Sequence, residues 1–410
     1  MTRLTRFRLC SMMFLQFFIW GGWFVTLGSY LASSLHATGA QSALAYSTQS
    51  WGAIIAPFIV GLIADRYFNA ERLLGAFHIA GGILLYALSG TRDLKAFYPC
   101  LFAYMILYMP TLALVNTISF RQMEEPARHF SGVRVWGTIG WIVAGLGVSY
   151  LFAWDSPAGM AQRSLGNTFL MCSLASFALG IYSFTLPRTP PLPNPEEQAR
   201  FGRLLGLDAL VLLRQRNFVV FFVASILICI PLAFYYQNAN QFLTEIHVAN
   251  ATGKQTIGQM SEVLFMFLIP VFLRTFGMKT TLLLGMLAWV CRYLLFALGN
   301  AHELGFMLLV GIALHGACYD FFFVSGQIYS DSKAGARHKG AAQGLITLAT
   351  YGVGMLVGFW AAGLIDDRYS VGGTHDWRSI WLYPAAFAAV VSVLFALTFR
   401  NERVAYANPH

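Results

Sequence analysis

Apolar runs long enough to cross a bilayer recur twelve times along this chain of 410 residues. About 20 apolar residues span the hydrocarbon core. The runs predict spans at 10–33, 44–64, 72–90, 97–119, 134–154, 165–186, 218–243, 257–275, 279–298, 304–329, 341–364 and 379–399. Inside a bilayer every backbone N–H and C=O must find a partner within the protein, so a continuous apolar run of this length becomes a helix. The expected fold is an all-α membrane protein. Composition excludes a soluble globule: 57% of residues are hydrophobic and only 11% charged, against roughly 25% charged in a soluble domain. The first run, Leu9 to Leu35, follows Arg3, Arg6 and Arg8 as a leader peptide would. It is too long for one and has no small-x-small cleavage site, so it reads as a retained membrane helix.

The runs fall into six, a polar connection and six. The connection, 187–217, carries four prolines between Pro190 and Pro195, then Glu196, Glu197, Arg200, Arg203, Arg214 and Arg216. The expected organisation is an N-terminal six-helix bundle over 1–186, a cytoplasmic linker over 187–217 and a C-terminal six-helix bundle over 218–410. With the N-terminus in the cytoplasm, 19 of the 27 Lys and Arg residues fall inside and six outside, while Arg134 and Arg292 lie at or within spans. This is the positive-inside bias, with both termini cytoplasmic. It accounts for the net charge of +9 without nucleic acid. Twelve spans split six and six is the arrangement of major facilitator transporters. The six cysteines and nine histidines show no metal-ligand spacing, so no metal, cofactor or structural disulfide is expected.

Two carboxylic acids stand where they are most expensive. Glu262 lies in Gln259-Met-Ser-Glu262 and Asp320 in His315-Gly-Ala-Cys-Tyr319-Asp320, both inside apolar runs. A charge at such depth costs roughly 2.5–3.5 kcal/mol on insertion scales, and it commonly marks a polar cavity, a partner or an ion path. The alternative is a structural pair, with one acid bonded to Arg292 or to a helix end. Arg134, Thr138 and Trp141 share a helical face at i, i+4 and i+7. That face offers a cation, a hydroxyl and an aromatic ring, although a snorkelling arginine at the membrane edge would read the same. Span 7 holds Tyr235, Tyr236, Gln237, Asn238, Asn240 and Gln241, either a polar cavity wall or the outer mouth. Between spans 2 and 3, Gly61, Asp65 and Arg66 match in part the major facilitator loop Gly-x-x-x-Asp-Arg-x-Gly-Arg-Arg, in which the Asp and Arg latch the cytoplasmic face. Gly352, Gly354 and Gly358 form a small-residue packing face. No catalytic nucleophile, phosphate loop or paired catalytic constellation is present, which argues against a membrane enzyme.

Several strings together resemble the nucleoside:proton symporter family of the major facilitator superfamily. They are Arg134-Val-Trp-Gly-Thr138-Ile-Gly, Gln259-Met-Ser-Glu262, Pro231-Leu-Ala-Phe-Tyr-Tyr236 and Leu314-His-Gly-Ala-Cys-Tyr-Asp320. The resemblance runs nearly end to end. It implies nucleoside import driven by the proton gradient. It implies substrate or coupling roles for Arg134, Thr138, Gln259, Glu262, Tyr319 and Asp320. It also exposes departures: Trp141 where the family has another aromatic, Ala233 and Tyr236 at positions aligned with nucleoside-binding amides, and His315 in place of a tyrosine. The expected substrate contacts are therefore Arg134, Thr138, Trp141, Tyr236, Asn240, Gln259, Glu262, His315 and Tyr319. Asp320 and Glu262 are the acids expected to handle the proton, since a carboxyl that alternates between dry and wet surroundings can load a proton on one side and release it on the other. The expected partners are a nucleoside, protons and the lipid bilayer, with a monomer inserted in the cytoplasmic (inner) membrane. Symport of a sugar or nucleobase, and a sensor that binds without flux, are the rival readings.

Overall fold

The computed structural model of the chain describes residues 1–59, 67–125, 129–191 and 207–402. Almost all of them are helical. Among the described residues the one sheet is a hairpin of two short strands, Ser370–Val371 and Thr374–His375. Ten helical stretches there are long and apolar enough to cross a membrane. One of these, Ala251–Leu298, runs for 48 residues and bends at Gly277, whose φ of 75° only glycine adopts without strain. The bend separates the expected spans 257–275 and 279–298. Gly39–Ile59 covers the described part of the expected span 44–64. Each expected span thus carries helix over its described residues, although ten rather than twelve separate helices meet the length and hydropathy of a crossing. Asp65 and Arg66, the expected latch, lie outside the described residues.

The chain divides into two compact units, Met1–Arg200 with Gln237–Thr256, and Phe201–Tyr236 with Ile257–His410. The grouping of Gln237–Thr256 with the first unit departs from the expected single run of 218–410.

The first unit holds α1 (Arg3–Phe24), α2 (Leu27–Leu35), α3 (Gly39–Ile59), α4 (Ala70–Gly90), α5 (Leu94–Arg121), α6 (Ser131–Leu146), the short α7 (Pro157–Ala161) and α8 (Asn167–Ser183). Helix α1 packs on α6 and α8, α8 on α4, and α5 on α3 and α4. Gly140 permits the α1–α6 approach: a Cβ there would lie 2.2 Å from the carbonyl oxygen of Phe14. A buried polar hub ties three of these helices. The Thr111 hydroxyl donates to the Tyr108 carbonyl, so it accepts from Gln16 Nε2 at 2.7 Å. Gln16 therefore turns Oε1 to His78, whose Nε2–H donates to it across 2.8 Å. Tyr108 closes the ring by donating to the Gln16 carbonyl at 2.7 Å. With every member satisfied, such a network rigidifies a bundle, its hydrogen bonds offsetting the cost of burying the polar groups.

The second unit holds most of α9 (Arg216–Glu245) and α10 (Ala251–Leu298), then α11 (Gly305–Tyr319), α12 (Ser325–Thr347), α13 (Met355–Arg368) and α14 (Trp377–Thr398). The glycine face expected in span 11 works as a packing seam. A Cβ on Gly354 would meet the Ile226 carbonyl oxygen at 2.6 Å, and one on Gly358 the Ala233 Cβ at 2.6 Å, so α13 and the turn before it lie directly on α9. π-helical turns at Asp320–Val324 and Leu348–Gly354 interrupt the regular ladder. Such bulges often accompany functional sites. Tyr293 stacks on Trp381 with centroids 5.6 Å apart and donates to the Pro231 carbonyl at 2.6 Å, filling the core between α9, α10 and α14.

Candidate functional site

In the second unit the site is set by the crossing of α10 and α11. Gly258 and Gly316 leave no room for side chains between the two helices. A Cβ on Gly316 would lie 2.6 Å from the Glu262 nitrogen, and one on Gly258 3.1 Å from the His315 Cβ. The Ser261 hydroxyl stitches the crossing, accepting from the Gly316 N–H at 3.0 Å and donating to the Gly258 carbonyl at 2.6 Å. Glu262 and His315 are thereby brought together, with His315 Nε2 3.0 Å from Glu262 Oε1. On the other arm of the bent α10, Arg292 reaches the far side of the same ring, Nη1 lying 2.8 Å from His315 Nδ1. Tyr235 of α9 completes the arrangement. Its ring lies 3.4 Å from the Arg292 guanidinium carbon and stacks on His315 at 5.3 Å between centroids.

The polar groups around this line are unevenly satisfied. Glu262 is half-buried, its side chain 18% exposed, and its Oε2 makes no hydrogen bond among the described residues. Gln259, one turn earlier and also half-buried, has no side-chain hydrogen bond there either. Tyr319 pairs with Tyr351, hydroxyl to hydroxyl, at 3.0 Å. Tyr236 is half-buried beside Tyr235, with ring centroids 5.7 Å apart. Asp320 opens the π turn, is 0% exposed, and neither carboxyl oxygen meets a hydrogen-bond partner among the described residues. Ionising it there would leave a buried charge without compensation, which costs several kcal/mol.

In the first unit, Arg134, Thr138 and Trp141 are all half-buried, as their shared face requires. The Arg134 guanidinium lies 4.0 Å above the Phe17 ring. Trp141 meets Trp20 edge to face at 5.7 Å and fits over Gly21, where a Cβ would come within 2.7 Å of the indole.

One expectation changes. Asn240 belongs to the first unit, where its amide is fully engaged: Oδ1 accepts from Ser29 at 2.6 Å, and Nδ2 donates to Thr252 at 3.0 Å and to Gln255 at 2.6 Å. It holds these segments together and presents no spare polar atom. Ala233 is 0% exposed and turned onto Gly358, so a longer side chain there meets α13 rather than open space. Sequence reasoning also missed the weight of Arg292, Tyr235 and Tyr351. For Arg292 the signal was present, because a cation inside an apolar run is as anomalous as Glu262.

Comparison with known proteins bears on the family of the chain. A family model described as nucleoside H+ symporter matches residues 3–404. The chain belongs to this family. Among curated relatives of Escherichia coli (strain K12), this nucleoside H+ symporter family member is 41% identical to YegT over 407 residues, covering 97% of this chain and 94% of that one. It is 36% identical to xanthosine permease over 409 residues, covering 96% and 95%. It is 30% identical to nucleoside permease NupG over 406 residues, covering 95% of each. A crystal structure of the nucleoside transporter NupG superposes with a TM-score of 0.84 at 29% identity, covering 98% of this chain and 100% of that one. The chain is therefore an integral membrane transporter of the major facilitator fold and not an enzyme.

Proposed function

We propose that this protein imports nucleosides across the cytoplasmic (inner) membrane by proton symport, with the Gln259–Glu262–Tyr319–Asp320 region of the second unit as its binding and coupling centre. The observation that carries this reading is Glu262, a carboxylate secured through one oxygen and open at the other, one helical turn from an unengaged amide. A nucleoside has complementary chemistry. Its ribose hydroxyls donate to a carboxylate, its base edge matches an amide, and its flat base suits aromatic walls such as Tyr236 and Tyr319. Asp320 supplies what proton coupling needs, a carboxyl whose surroundings favour the neutral form until water or a partner reaches it. On the first unit, Arg134, Thr138 and Trp141 present a cation, a hydroxyl and an aromatic ring on one helical face, as a nucleoside-binding surface would. The charge bias supports cytoplasmic termini.

Uptake of radiolabelled uridine and adenosine into proteoliposomes tests the reading. An inward proton gradient should drive accumulation above equilibrium, and unlabelled nucleosides should compete while glucose and free nucleobases do not. Uptake indifferent to the gradient would remove the proton from the mechanism. Competition by a sugar alone would move the substrate class.

A further inference from the structure

Arg292 is a buried cation with no carboxylate in contact among the described residues. It is 0% exposed, and among the described residues its Nε and Nη2 find no acceptor. Its Nη1 lies 2.8 Å from His315 Nδ1, and the Cys318 thiol lies beside it. A guanidinium has only donors, so the imidazole nitrogen facing it is the bare one, and the ring's proton sits on Nε2. That proton points at Glu262 Oε1, 3.0 Å away. The buried positive charge and the half-buried negative charge thus balance each other through a neutral ring whose tautomer is dictated by Arg292. Tyr235, stacked on both His315 and Arg292, holds the ring and the guanidinium in place.

We propose that Arg292 and His315 form a relay that fixes the direction of Glu262, anchored through Oε1, with Oε2 left for a ribose hydroxyl of the nucleoside. Arg292 is a positioning residue in this scheme: it acts through His315 and does not touch the ligand. The inference rests on the nucleoside reading above and assigns the ribose, rather than the base, to Glu262. A hydroxyl donor arriving at Oε2 meets a carboxylate already fixed in direction, so little side-chain freedom is lost on binding. The alternative tautomer would point a bare nitrogen at the carboxylate and break the line, and Arg292 excludes it.

The test uses purified full-length wild type, Arg292→Met, Arg292→Lys, Glu262→Gln and the double variant Arg292→Met/Glu262→Gln. Binding of uridine, adenosine and 2′,3′-dideoxyuridine is measured calorimetrically, and thermal stability is followed in parallel. Wild type should prefer uridine. Arg292→Met should lose roughly tenfold in uridine affinity, the scale of one charge-assisted hydrogen bond, and most of the preference over the dideoxy analogue. Arg292→Lys, which keeps a charge and a donor, should recover much of both. In stability, each charge-removing single variant should fall, and the double should stand above Arg292→Met because no charge is stranded. Should Arg292→Met fail to fold, a folded double variant supports the relay and an unfolded one overturns it. Arg292→Met binding uridine with full preference, or single losses that simply add in the double, also overturns it. A wild type that binds neither uridine nor adenosine defeats the nucleoside reading instead, and the stability cycle still decides whether Arg292 and Glu262 are linked.

Discussion

Gly316 and Glu262 are in backbone contact across the α10–α11 crossing, close enough that a Cβ on Gly316 would sit 2.6 Å from the Glu262 nitrogen. The glycine thereby sets the distance between the carboxylate and His315, because the helices that carry them cannot approach if it is replaced. Gly316→Ala should force the helices apart and cost about 1–3 kcal/mol of stability. It should also weaken nucleoside binding by pulling Glu262 out of register. Thermal unfolding and calorimetry on the purified variant check both parts. Wild-type values in both would mean that the crossing tolerates a methyl and does not position the acid.

Asp320 and Glu262 differ in what protonation would do to their neighbours. Glu262 is linked to Arg292 through His315, whereas neither oxygen of Asp320 is engaged among the described residues. Asp320 can therefore gain and lose a proton without stranding a partner. Asp320→Asn keeps the shape but cannot cycle a proton. It should abolish accumulation driven by a pH gradient while leaving nucleoside exchange across proteoliposomes. Gradient-driven uptake at the wild-type level would place the proton on another group.

Gln259 and Glu262 lie at i and i+3, so both face the same side of α10. Gln259→Ala and Glu262→Gln should each weaken nucleoside binding by about 1–3 kcal/mol, the range for losing a buried or charge-assisted hydrogen bond. Unchanged affinity in both variants would make them structural residues.

Ala233 faces Gly358, so restoring an amide there does not rebuild a base-reading contact. Ala233→Gln should instead overpack the α9–α13 seam and cost about 1–3 kcal/mol, visible as a lower melting temperature. Tyr236→Asn, at a half-buried position, should fold and alter selectivity among nucleosides. A stable Ala233→Gln variant with broadened uptake would contradict this orientation.

At the start of α14, Asp376 accepts from the Ser379 hydroxyl at 2.6 Å and from its backbone N–H at 3.2 Å, and these bonds hold the exposed carboxyl below its usual range. With the folded value depressed, the cap's contribution is complete above the unfolded value, near pH 4, and is lost as pH falls through the folded one. Asp376→Ala should cost about 1 kcal/mol at neutral pH, as for other helix caps. The difference from wild type should shrink in thermal scans as the pH is lowered below 4. A difference that stays constant with pH would assign the loss to something other than the carboxylate.

Much of this protein was legible along the chain. The helices over the described residues of the apolar runs follow from length and hydropathy, which are local properties. Glu262 and Asp320 stood out because a charge in an apolar run is costly wherever the helix points. The shared face of Arg134, Thr138 and Trp141 followed from the 3.6-residue period. Even the Gly354 and Gly358 seam was visible as a small-residue pattern.

The partners of those residues depended on the fold. Glu262, Arg292 and His315 come from the two arms of one bent helix and from a neighbouring one, and they meet only because Gly258 and Gly316 allow the crossing and Gly277 turns the chain. Nothing in the order of residues says how each helix is rotated about its own axis. That rotation leaves Asp320 unpartnered, points Ala233 at α13, and spends the Asn240 amide on Ser29, Thr252 and Gln255. Sequence alone determined which segments enter the membrane and which polar groups they carry there, because transfer into hydrocarbon depends on what each segment is made of. The tertiary structure decided which of those groups are satisfied and which remain open to a ligand or a proton, because hydrogen bonding depends on distances between atoms far apart in the chain.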